Sequence, residues 1–559
     1  MAGQLTQSMD SVKDKTMYNL ILPKRYVVGF DTTQLPELFT EVLVIGSGVA
    51  GLSAALEASR ERGVLIVSKN KLGENNTMHA QGGVAVVLSP EDSFQSHIKD
   101  TLEAGQGLCD RKVVEKVVRD GPSKIEGLLE LGASFDRVDS ASGELAFTKE
   151  GGHSHRRVIH GRGDSTGMVV EEALLKAVED NVRISTMDHC FAIDLLVVEG
   201  ACRGALLWHK QRGRFIVWAG ETILATGGCG QLYRETTNSA VATGDGMAMA
   251  YRAGAVLQDM EFVQFHPTTL YIAGAARVLI TEAMRGEGAI LRNKWGERFM
   301  PKYHPMAELA PRDVVSKSIL QEMQDDEHTH VYLDVTHLPK EYLESRFPNI
   351  CSICASFHID ITKELIPVRP SAHYMIGGAK VDNKARTGIP HLYACGETAC
   401  TGLHGANRLG SNSLLEGLVY GYKAGEEVSL SLNRRHRRVT SYPLKIDAGA
   451  GRLRGMNLED IRDSLKSLMW RCAGVERDEE HLKEAEDALS QWREYVMDKE
   501  FHTAEGWELQ NMLLVSSLIV MAAQQRKESR GVHYRKDYAQ RDDQNWKRHI
   551  TFRGQGLGA

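Results

Sequence analysis

A glycine turn after a short apolar run constrains the fold of this chain more than any other feature. Residues 42–45 (Val-Leu-Val-Ile) are fully apolar and lead into Gly46-Ser47-Gly48-Val49-Ala50-Gly51. A short apolar run that stops at glycines is typical of a buried parallel strand. The small residues at 52–56 suit a helix packed closely on the sheet, and residues 64–67 form a second apolar run. We therefore predict a strand–helix–strand unit that opens near residue 40.

This turn has the chemistry of a phosphate site. Its glycines let backbone N–H groups approach a pyrophosphate, and the start of the helix adds a positive dipole end. An acidic residue usually ends the second strand and binds a ribose, but Ser68 and Lys69 stand there. This weakens an interpretation as a general NAD site and leaves Lys69 as a partner for a phosphate or a ribose hydroxyl. The turn alone fits NAD or FAD, and a turn without a ligand is the alternative.

Distant segments favour FAD. The polar, glycine-ended loop 76–83 is suited to wrap an isoalloxazine ring, although a surface loop fits it too. Gly396-Glu397, after an apolar run at 392–394, offers a carboxylate to ribitol or ribose hydroxyls. Two such motifs about 350 residues apart suit the long FAD molecule. The predicted cofactor contacts are Gly46, Ser47, Gly48, Val49, Ala50, Gly51, Ser68, Lys69, Asn76, Thr77, Met78, His79, Ala80, Gln81, Gly82, Gly83, Thr226, Gly227, Asp245, Glu397, Ser413 and Leu414.

The order of these elements predicts the domains. The apolar run 222–225 and the run 392–394 belong to the first sheet, so a second unit is inserted between them. We expect an α/β, Rossmann-like FAD-binding domain (41–259 and 375–444), interrupted by an α+β capping domain (260–374). A C-terminal helical bundle (445–559) follows, because residues 458–468 and 482–492 carry apolar positions at helical spacing and 512–523 is an apolar run. Residues 1–40 are expected to be a loosely attached extension, and the basic run 434–438 a solvated linker.

Charge and cysteine usage exclude several classes of protein. The 67 basic and 73 acidic residues give a net charge of −6, which offers no electrostatic reason to expect nucleic acid or an anionic membrane as a partner. Nine scattered cysteines, with one C-x-x-C at Cys351 and Cys354, suit a reducing compartment and lack the ligand set of a zinc site. The run 512–523 is shorter than the roughly 20 residues that span a bilayer. We therefore expect a cytoplasmic enzyme without a metal.

Long motifs then reveal a family. They occupy residues 80–83, 150–157, 264–268, 281–288, 310–313, 371–374, 401–408 and 530–535. On these motifs the chain resembles the fumarate reductase/succinate dehydrogenase flavoprotein superfamily from about residue 41 to residue 538, and within it the L-aspartate oxidase family. The resemblance implies FAD-dependent oxidation of L-aspartate to iminoaspartate, with O2 or fumarate as electron acceptor. This reaction is the first step of NAD biosynthesis via quinolinate.

Two positions separate the oxidase from its dehydrogenase relatives. In membrane-bound succinate dehydrogenases a histidine five residues before the glutamine of the A-Q-G-G loop is bonded to the flavin. That position is Asn76 here, and His79 lies elsewhere, so we predict non-covalent FAD. Glu150 opens the stretch 150–157 and is similar to the oxidase carboxylate that meets the substrate ammonium.

The charges of L-aspartate define what its site needs, since an unpaired buried charge is costly. Arg408 offers a two-pronged fork to one carboxylate, and Glu150 is the counter-charge for the ammonium. His266, His373 and Thr281 supply further donors. By resemblance, Arg312 lies beside the reacting carbon, and Glu282 and Arg285 relay protons to it. Because an arginine holds its proton firmly, Arg312 acts either as proton donor or as electrostatic clamp.

Two other functions stay open at this level. One is a soluble fumarate reductase or succinate dehydrogenase flavoprotein subunit, and the other is a flavoprotein-like binding subunit without catalysis. The expected partners are small molecules (L-aspartate, O2 and fumarate), with hand-off of the product to quinolinate synthase as a further hypothesis.

Overall fold

The largest sheet contains the predicted apolar runs. The computed structural model describes residues 24–138, 143–275, 277–433, 438–447 and 456–554. Strands Val64–Val67, Glu37–Ile45 and Gly213–Leu224 lie side by side and parallel, and Leu392–Ala394 pairs with the end of the last. The register aligns residues 45, 67, 224 and 394. The carboxyl ends of four strands therefore meet at one edge, where the glycine turn lies.

Three more strands complete this seven-stranded sheet. Ile184–Met187 extends the parallel side, whereas Ala201–His209 and Cys190–Val198 continue it as an antiparallel meander. Its helices are Val49–Ala58, Phe94–Ala104, Arg111–Glu130, Thr166–Glu179, Asp245–Arg252 and Asn412–Asn433. Small sheets nearby contain Val84–Ala85, Val158–Ile159 and Phe147–Thr148, then Ala399–Cys400, Gly378–Lys380, Val256–Gln258 and Thr551–Arg553, and finally Phe30–Asp31 with Lys445–Ile446.

The helix after the glycine turn packs closely on a helix from the far end of the chain. Gly421 and Gly425, one turn apart in Asn412–Asn433, face Val49–Ala58. A methyl group on either would lie 2.5 Å from a carbonyl oxygen of that helix, so side chains are excluded at this contact. The small residues therefore let two buried helices approach closely beneath the turn.

The segment between the two halves of the main sheet has a core of its own. Its five-stranded sheet runs in the order Val278–Leu279, Val263–Leu270, Ile366–Met375, Val331–Asp334 and Ile290–Arg292. Around it lie helices Glu282–Gly286, Met300–Tyr303, Arg312–Asp325, Lys340–Arg346 and Pro348–Ser356. A separate hydrophobic cluster between residues 270 and 368 joins them. We call this segment, residues 260–374, the capping segment; its exact boundaries stay a prediction.

Three long helices follow, as the apolar spacing predicted: Leu458–Cys472, Glu479–Val496 and Ala504–Gln525. Leu465, Leu482 and Leu489 are buried in their interface. The third helix is longer than its apolar run. By length and composition it is the one helix in the described ranges that could cross a membrane, but 94% of its most apolar window is buried within the protein. It packs against Asp245–Arg252.

The fold class is confirmed, but the N-terminal prediction is wrong where it can be examined. Residues 24–40 are not loosely attached: Tyr26, Val27 and Val28 are buried. The Val27 N–H donates to Asp194 Oδ2 at 2.9 Å, which fastens this segment to the antiparallel part of the main sheet. Residues 1–23, and residues 434–437 of the predicted basic linker, lie outside the described residues.

Candidate cofactor and substrate site

A cavity of about 1480 Å³ lies at the edge where the parallel strands end. It runs from the glycine turn to His373 and Tyr374 of the capping segment. The predicted cofactor contacts that line it are Gly46, Ser47, Gly48, Val49, Ala50, Ser68, Lys69, Asn76, Thr77, His79, Ala80, Thr226, Gly227, Asp245, Glu397, Ser413 and Leu414.

Five predicted contacts are not among the lining residues: Gly51, Met78, Gln81, Gly82 and Gly83. Packing explains two of these glycines. A methyl group on Gly51 would overlap the carbonyl oxygen of Gly46, and one on Gly83 would overlap the carbonyl oxygen of Ile159. These two glycines let neighbouring backbone segments pack closely, and they do not line the cavity themselves.

The turn itself needs glycine at its first position. Gly46 has a φ of +114°, and a methyl group there would overlap the carbonyl oxygen of Ala225. The loop 76–83 fastens the other end of the turn, since Thr77 Oγ1 accepts the Val49 N–H at 3.1 Å. The two segments that were predicted to hold one cofactor are therefore hydrogen-bonded to each other.

Asn75 is a cavity residue that the sequence analysis missed. Its Nδ2 donates to the Ser47 carbonyl oxygen at 3.1 Å and to Glu171 Oε1 at 2.6 Å, and its Oδ1 accepts the Thr77 N–H at 2.8 Å. Burial raises the pKa of Glu171 to about 8. Asn75 is adjacent to the predicted loop, whereas Glu171 lies mid-helix and carries no sequence signal for this role.

Lys69 lines the cavity but already has protein partners. Its Nζ is 2.8 Å from both Thr243 Oγ1 and Asp245 Oδ2, and 2.5 Å from Glu508 Oε1. Although burial opposes the charge, Asp245 and Glu508 raise the pKa of Lys69. The geometry gives no support to the prediction that its ammonium meets a phosphate. It instead joins the cavity wall to the C-terminal helix Ala504–Gln525.

Several acceptors suit a ligand with many hydroxyl and N–H groups. Glu397 is half-buried, desolvation of its carboxylate raises its pKa to about 7, and its Oε1 accepts the Met375 N–H at 2.8 Å. Asn238 Oδ1, in the cavity lining, and Gln81 Oε1, in the loop, are buried without a hydrogen-bond partner among the described residues. This donor and acceptor set, with the glycine turn, fits FAD.

A chain of buried charges lies in the capping segment. Glu282 Oε2 accepts Arg312 Nε at 2.6 Å, and Glu282 Oε1 accepts Arg285 Nη2 at 3.0 Å. Burial lowers the pKa of Arg285. The three residues predicted to relay protons are therefore connected in the order that the resemblance implied.

Gln264 joins this chain to Arg408. Its Oε1 accepts Arg312 Nη1 at 3.2 Å and Arg408 Nε at 3.1 Å, so one neutral oxygen separates two cations. Arg408 also donates to Ser413 Oγ at 2.7 Å and lies 4.4 Å above the ring of Tyr374. Burial lowers the pKa of Arg408 to about 10, with Arg312 adding to the effect. The sequence analysis did not select Gln264, although it lies two positions before His266 and so shares its strand face.

The two candidate histidines lie together, with ring centroids 5.2 Å apart. Burial and the nearby arginines hold both pKa values well below the usual range, so both rings are neutral. His373 Nδ1 lies 2.9 Å from Thr237 Oγ1, another contact that the sequence did not indicate. Thr281 caps the helix Glu282–Gly286, since its Oγ1 accepts the Ala283 N–H at 3.4 Å.

Glu150 reaches the same place from the main domain. Its Oε2 accepts the Ser411 hydroxyl at 2.7 Å. Burial opposes its charge, but His160, Ser411 and Arg312 hold the pKa of Glu150 at about 2. A methyl group on Gly410 would lie 3.1 Å from Glu282 Oε2, 3.2 Å from Glu150 Oε2 and 3.3 Å from Arg312 Nη2. The predicted ammonium partner and the predicted relay therefore meet at one point.

In the part of the chain that the structure describes, no group of three or more histidine, cysteine or acidic side chains could hold a metal ion. All nine cysteines, including Cys351 and Cys354, are unpaired thiols.

Known proteins match this chain over nearly all of its length. The model of an FAD binding domain matches residues 41–414, and that of the fumarate reductase flavoprotein C-terminus matches residues 462–556. An L-aspartate oxidase of Streptomyces coelicolor is 42% identical, covering 92% of this chain and 91% of the relative. One of Yersinia pestis is 40% identical, covering 90% and 96%. The chloroplastic enzyme of Arabidopsis thaliana is 41% identical, covering 89% and 81%.

Solved structures agree. A variant of E. coli quinol fumarate reductase has a TM-score of 0.85 at 32% identity, covering 92% of this chain and 94% of that one. A quinol-fumarate reductase with menaquinol has a TM-score of 0.84 at 31% identity, covering 94% and 99%. The chain belongs to the L-aspartate oxidase family of FAD-binding flavoproteins, within the fumarate reductase/succinate dehydrogenase superfamily.

Proposed function

We propose that this chain oxidises L-aspartate to iminoaspartate, the first step of NAD biosynthesis via quinolinate. Family membership supports the reaction. The structural observation that carries it is the meeting of Glu150 with Arg312 and Glu282 at Gly410, where an amino dicarboxylate finds charges of both signs. FAD supplies the hydride acceptor. Either O2, giving H2O2, or fumarate, giving succinate, then reoxidises the reduced flavin.

Each polar group at this point binds one part of the substrate. Arg408 binds one carboxylate through its fork, and neutral His266 and His373 donate hydrogen bonds to the carboxylates, with Thr281. Glu150 pairs with the ammonium. Arg312 lies at the reacting carbon, and its link to Glu282 and Arg285 supplies a proton when fumarate is reduced.

Three further assignments are part of the proposal. FAD is held without a covalent bond, because Asn76 replaces the histidine that such a bond needs, and its Oδ1 instead accepts the Ser239 N–H at 2.8 Å. The cofactor contacts are the predicted residues that line the cavity, and the boundaries of the FAD-binding, capping and C-terminal helical domains are those predicted above. Because iminoaspartate is unstable, its hand-off to quinolinate synthase is proposed as well, and the cytoplasmic location stays a prediction.

A soluble fumarate reductase or succinate dehydrogenase is the second candidate, since the Arg312–Glu282–Arg285 chain alone would serve it. One experiment separates the two. Peroxide and ammonia are measured with L-aspartate in air, and peroxide is measured with succinate in its place. Succinate formation from L-aspartate and fumarate is then measured without oxygen. Oxidation of L-aspartate in both conditions is expected. Oxidation of succinate without any oxidation of L-aspartate would favour the second candidate.

A further inference from the structure

A buried histidine stands directly behind Glu150. His160 is only 2% exposed, and its Nε2 lies 3.4 Å from Glu150 Oε1. Within the described ranges, both atoms are buried and neither has a hydrogen-bond partner. The other oxygen of Glu150 accepts from Ser411. The facing atoms are therefore available to each other.

The chemistry of L-aspartate creates a need for such a group. Hydride leaves Cα only when the nitrogen has a lone pair to form the C=N bond, and an ammonium has none. One proton must therefore leave the substrate nitrogen first. Glu150 is placed to meet that proton, and His160 Nε2 lies against the same carboxylate, where it can take the proton onward.

We propose that His160 takes the ammonium proton of L-aspartate through Glu150, a role that rests on the proposed function. The N–H bond breaks and its proton passes to the Glu150 carboxylate, and the same proton then passes from Glu150 Oε1 to His160 Nε2, so that Glu150 ends as a carboxylate again. The substrate becomes a neutral amine and His160 an imidazolium. The Cα–H bond then breaks with its electron pair, which goes to the flavin, and the nitrogen lone pair forms the C=N bond.

The surroundings of the pair suit this transfer. His160 Nδ1 lies 3.3 Å from Thr148 Oγ1, and Thr148 is only half-buried, so the proton has an exit toward the strand Phe147–Thr148. The other charged or titratable groups that act on Glu150 are Arg312 and Arg285 of the capping segment and His153. Arg312 and Arg285 favour the charged carboxylate. His160 Nε2 is thus the imidazole nitrogen that faces the free oxygen of Glu150.

The test follows flavin reduction by L-aspartate without oxygen in a stopped-flow instrument. His160→Gln is expected to slow this step about 100-fold at pH 7, the lower end of what general acid–base catalysis contributes. The rate should recover as the pH rises, because the free amine of the substrate then forms in solution. His155→Gln is the matched control, since His155 is an exposed histidine of the same segment. It should behave like the wild type at every pH.

Two further measurements separate a proton role from a structural one. Fumarate carries no ammonium, so its reduction by the reduced enzyme should stay within about twofold of wild type in His160→Gln. FAD affinity, measured by fluorescence titration, should be unchanged. Wild-type flavin reduction in His160→Gln, or equal losses with L-aspartate and fumarate, would overturn the inference and leave the proposed function standing. A wild-type protein whose flavin L-aspartate does not reduce would overturn the proposed function itself.

If His160→Gln loses FAD, Thr148→Val replaces it in the same experiment. This change removes the hydroxyl that lies against His160 Nδ1, and it leaves the contact between Glu150 and His160 Nε2 in place. A smaller loss with L-aspartate that recovers at high pH is expected, and a rate that is independent of pH would contradict the relay.

Discussion

A single methyl group on Gly410 tests whether three charged groups meet where the structure places them. Gly410 is not in the left-handed region of φ, so its backbone accepts alanine. The added carbon would contact Glu282 Oε2, Glu150 Oε2 and Arg312 Nη2 at 3.1–3.3 Å. Ordinary contacts of this kind are 3.4–4 Å. The three groups must therefore retreat by a few tenths of an ångström each.

The size of the effect follows from the cost of overpacking. Inserting a methyl group into a packed site costs about 1–3 kcal/mol. Because the crowded groups are the proposed catalytic ones, we expect most of this cost to appear as lost alignment in the transition state. Since about 1.4 kcal/mol is tenfold in rate, Gly410→Ala should lower kcat roughly 10- to 100-fold.

The assay compares kcat for L-aspartate oxidation and for fumarate reduction, with FAD affinity and Tm measured alongside. Both activities should fall together, because Arg312 and Glu282 serve both, while FAD affinity stays within about twofold of wild type. Gly127→Ala is the control: its methyl group would lie 3.9 Å from Tyr422 Oη, an ordinary contact in the helix Arg111–Glu130. Activity of Gly410→Ala within twofold of wild type would show that Glu150, Glu282 and Arg312 do not meet at this residue.

Three other changes probe separate parts of the site. Arg312→Leu should lower fumarate reduction by at least about 100-fold with FAD still bound, and full turnover by that variant would remove Arg312 from the proton path. Glu150→Gln should lower kcat/KM for L-aspartate about 100-fold, whereas fumarate, which lacks the ammonium, loses little; equal losses would contradict the ammonium role. Glu171→Gln concerns stability. The folded protein holds the pKa of Glu171 near 8, so wild-type stability falls as the pH rises from about 4.5 to about 8. Glutamine does not titrate, so the Tm of the variant should gain on wild type between pH 5 and pH 8.5, and a constant difference would refute the buried neutral acid.

The sequence predicted the elements whose signals are local. The apolar run 42–45, its glycine turn and the helix that follows depend on neighbouring residues, and the structure has a strand, a turn and a helix there. The capping residues Glu282, Arg285 and Arg312 were found because they lie in long motifs. Their physical connection, however, became visible only when helices Glu282–Gly286 and Arg312–Asp325 were brought together.

Other site residues were missed or assigned the wrong partner because their role depends on tertiary proximity. Gln264 matters because the fold brings Arg408 to the oxygen that Arg312 also contacts. Lys69 was predicted as a partner for a phosphate or a ribose hydroxyl because it stands where an acidic residue usually ends the second strand. Its partner Glu508 comes from a helix near the end of the chain. Charge pairing over such separations cannot be derived from spacing.

The charges at the site explain how one scaffold distinguishes an amino dicarboxylate from a plain one. Arg285, Arg312 and Arg408 are cations, Glu282 is an anion, and His266 and His373 are neutral. Without Glu150 this set carries two net positive charges and matches the two negative charges of fumarate or succinate. With Glu150 it carries one, which matches the single net negative charge of L-aspartate. A buried site binds best when its charge is cancelled. We therefore infer that Glu150 selects the substrate twice, by pairing with the ammonium and by adjusting the balance of charge around it.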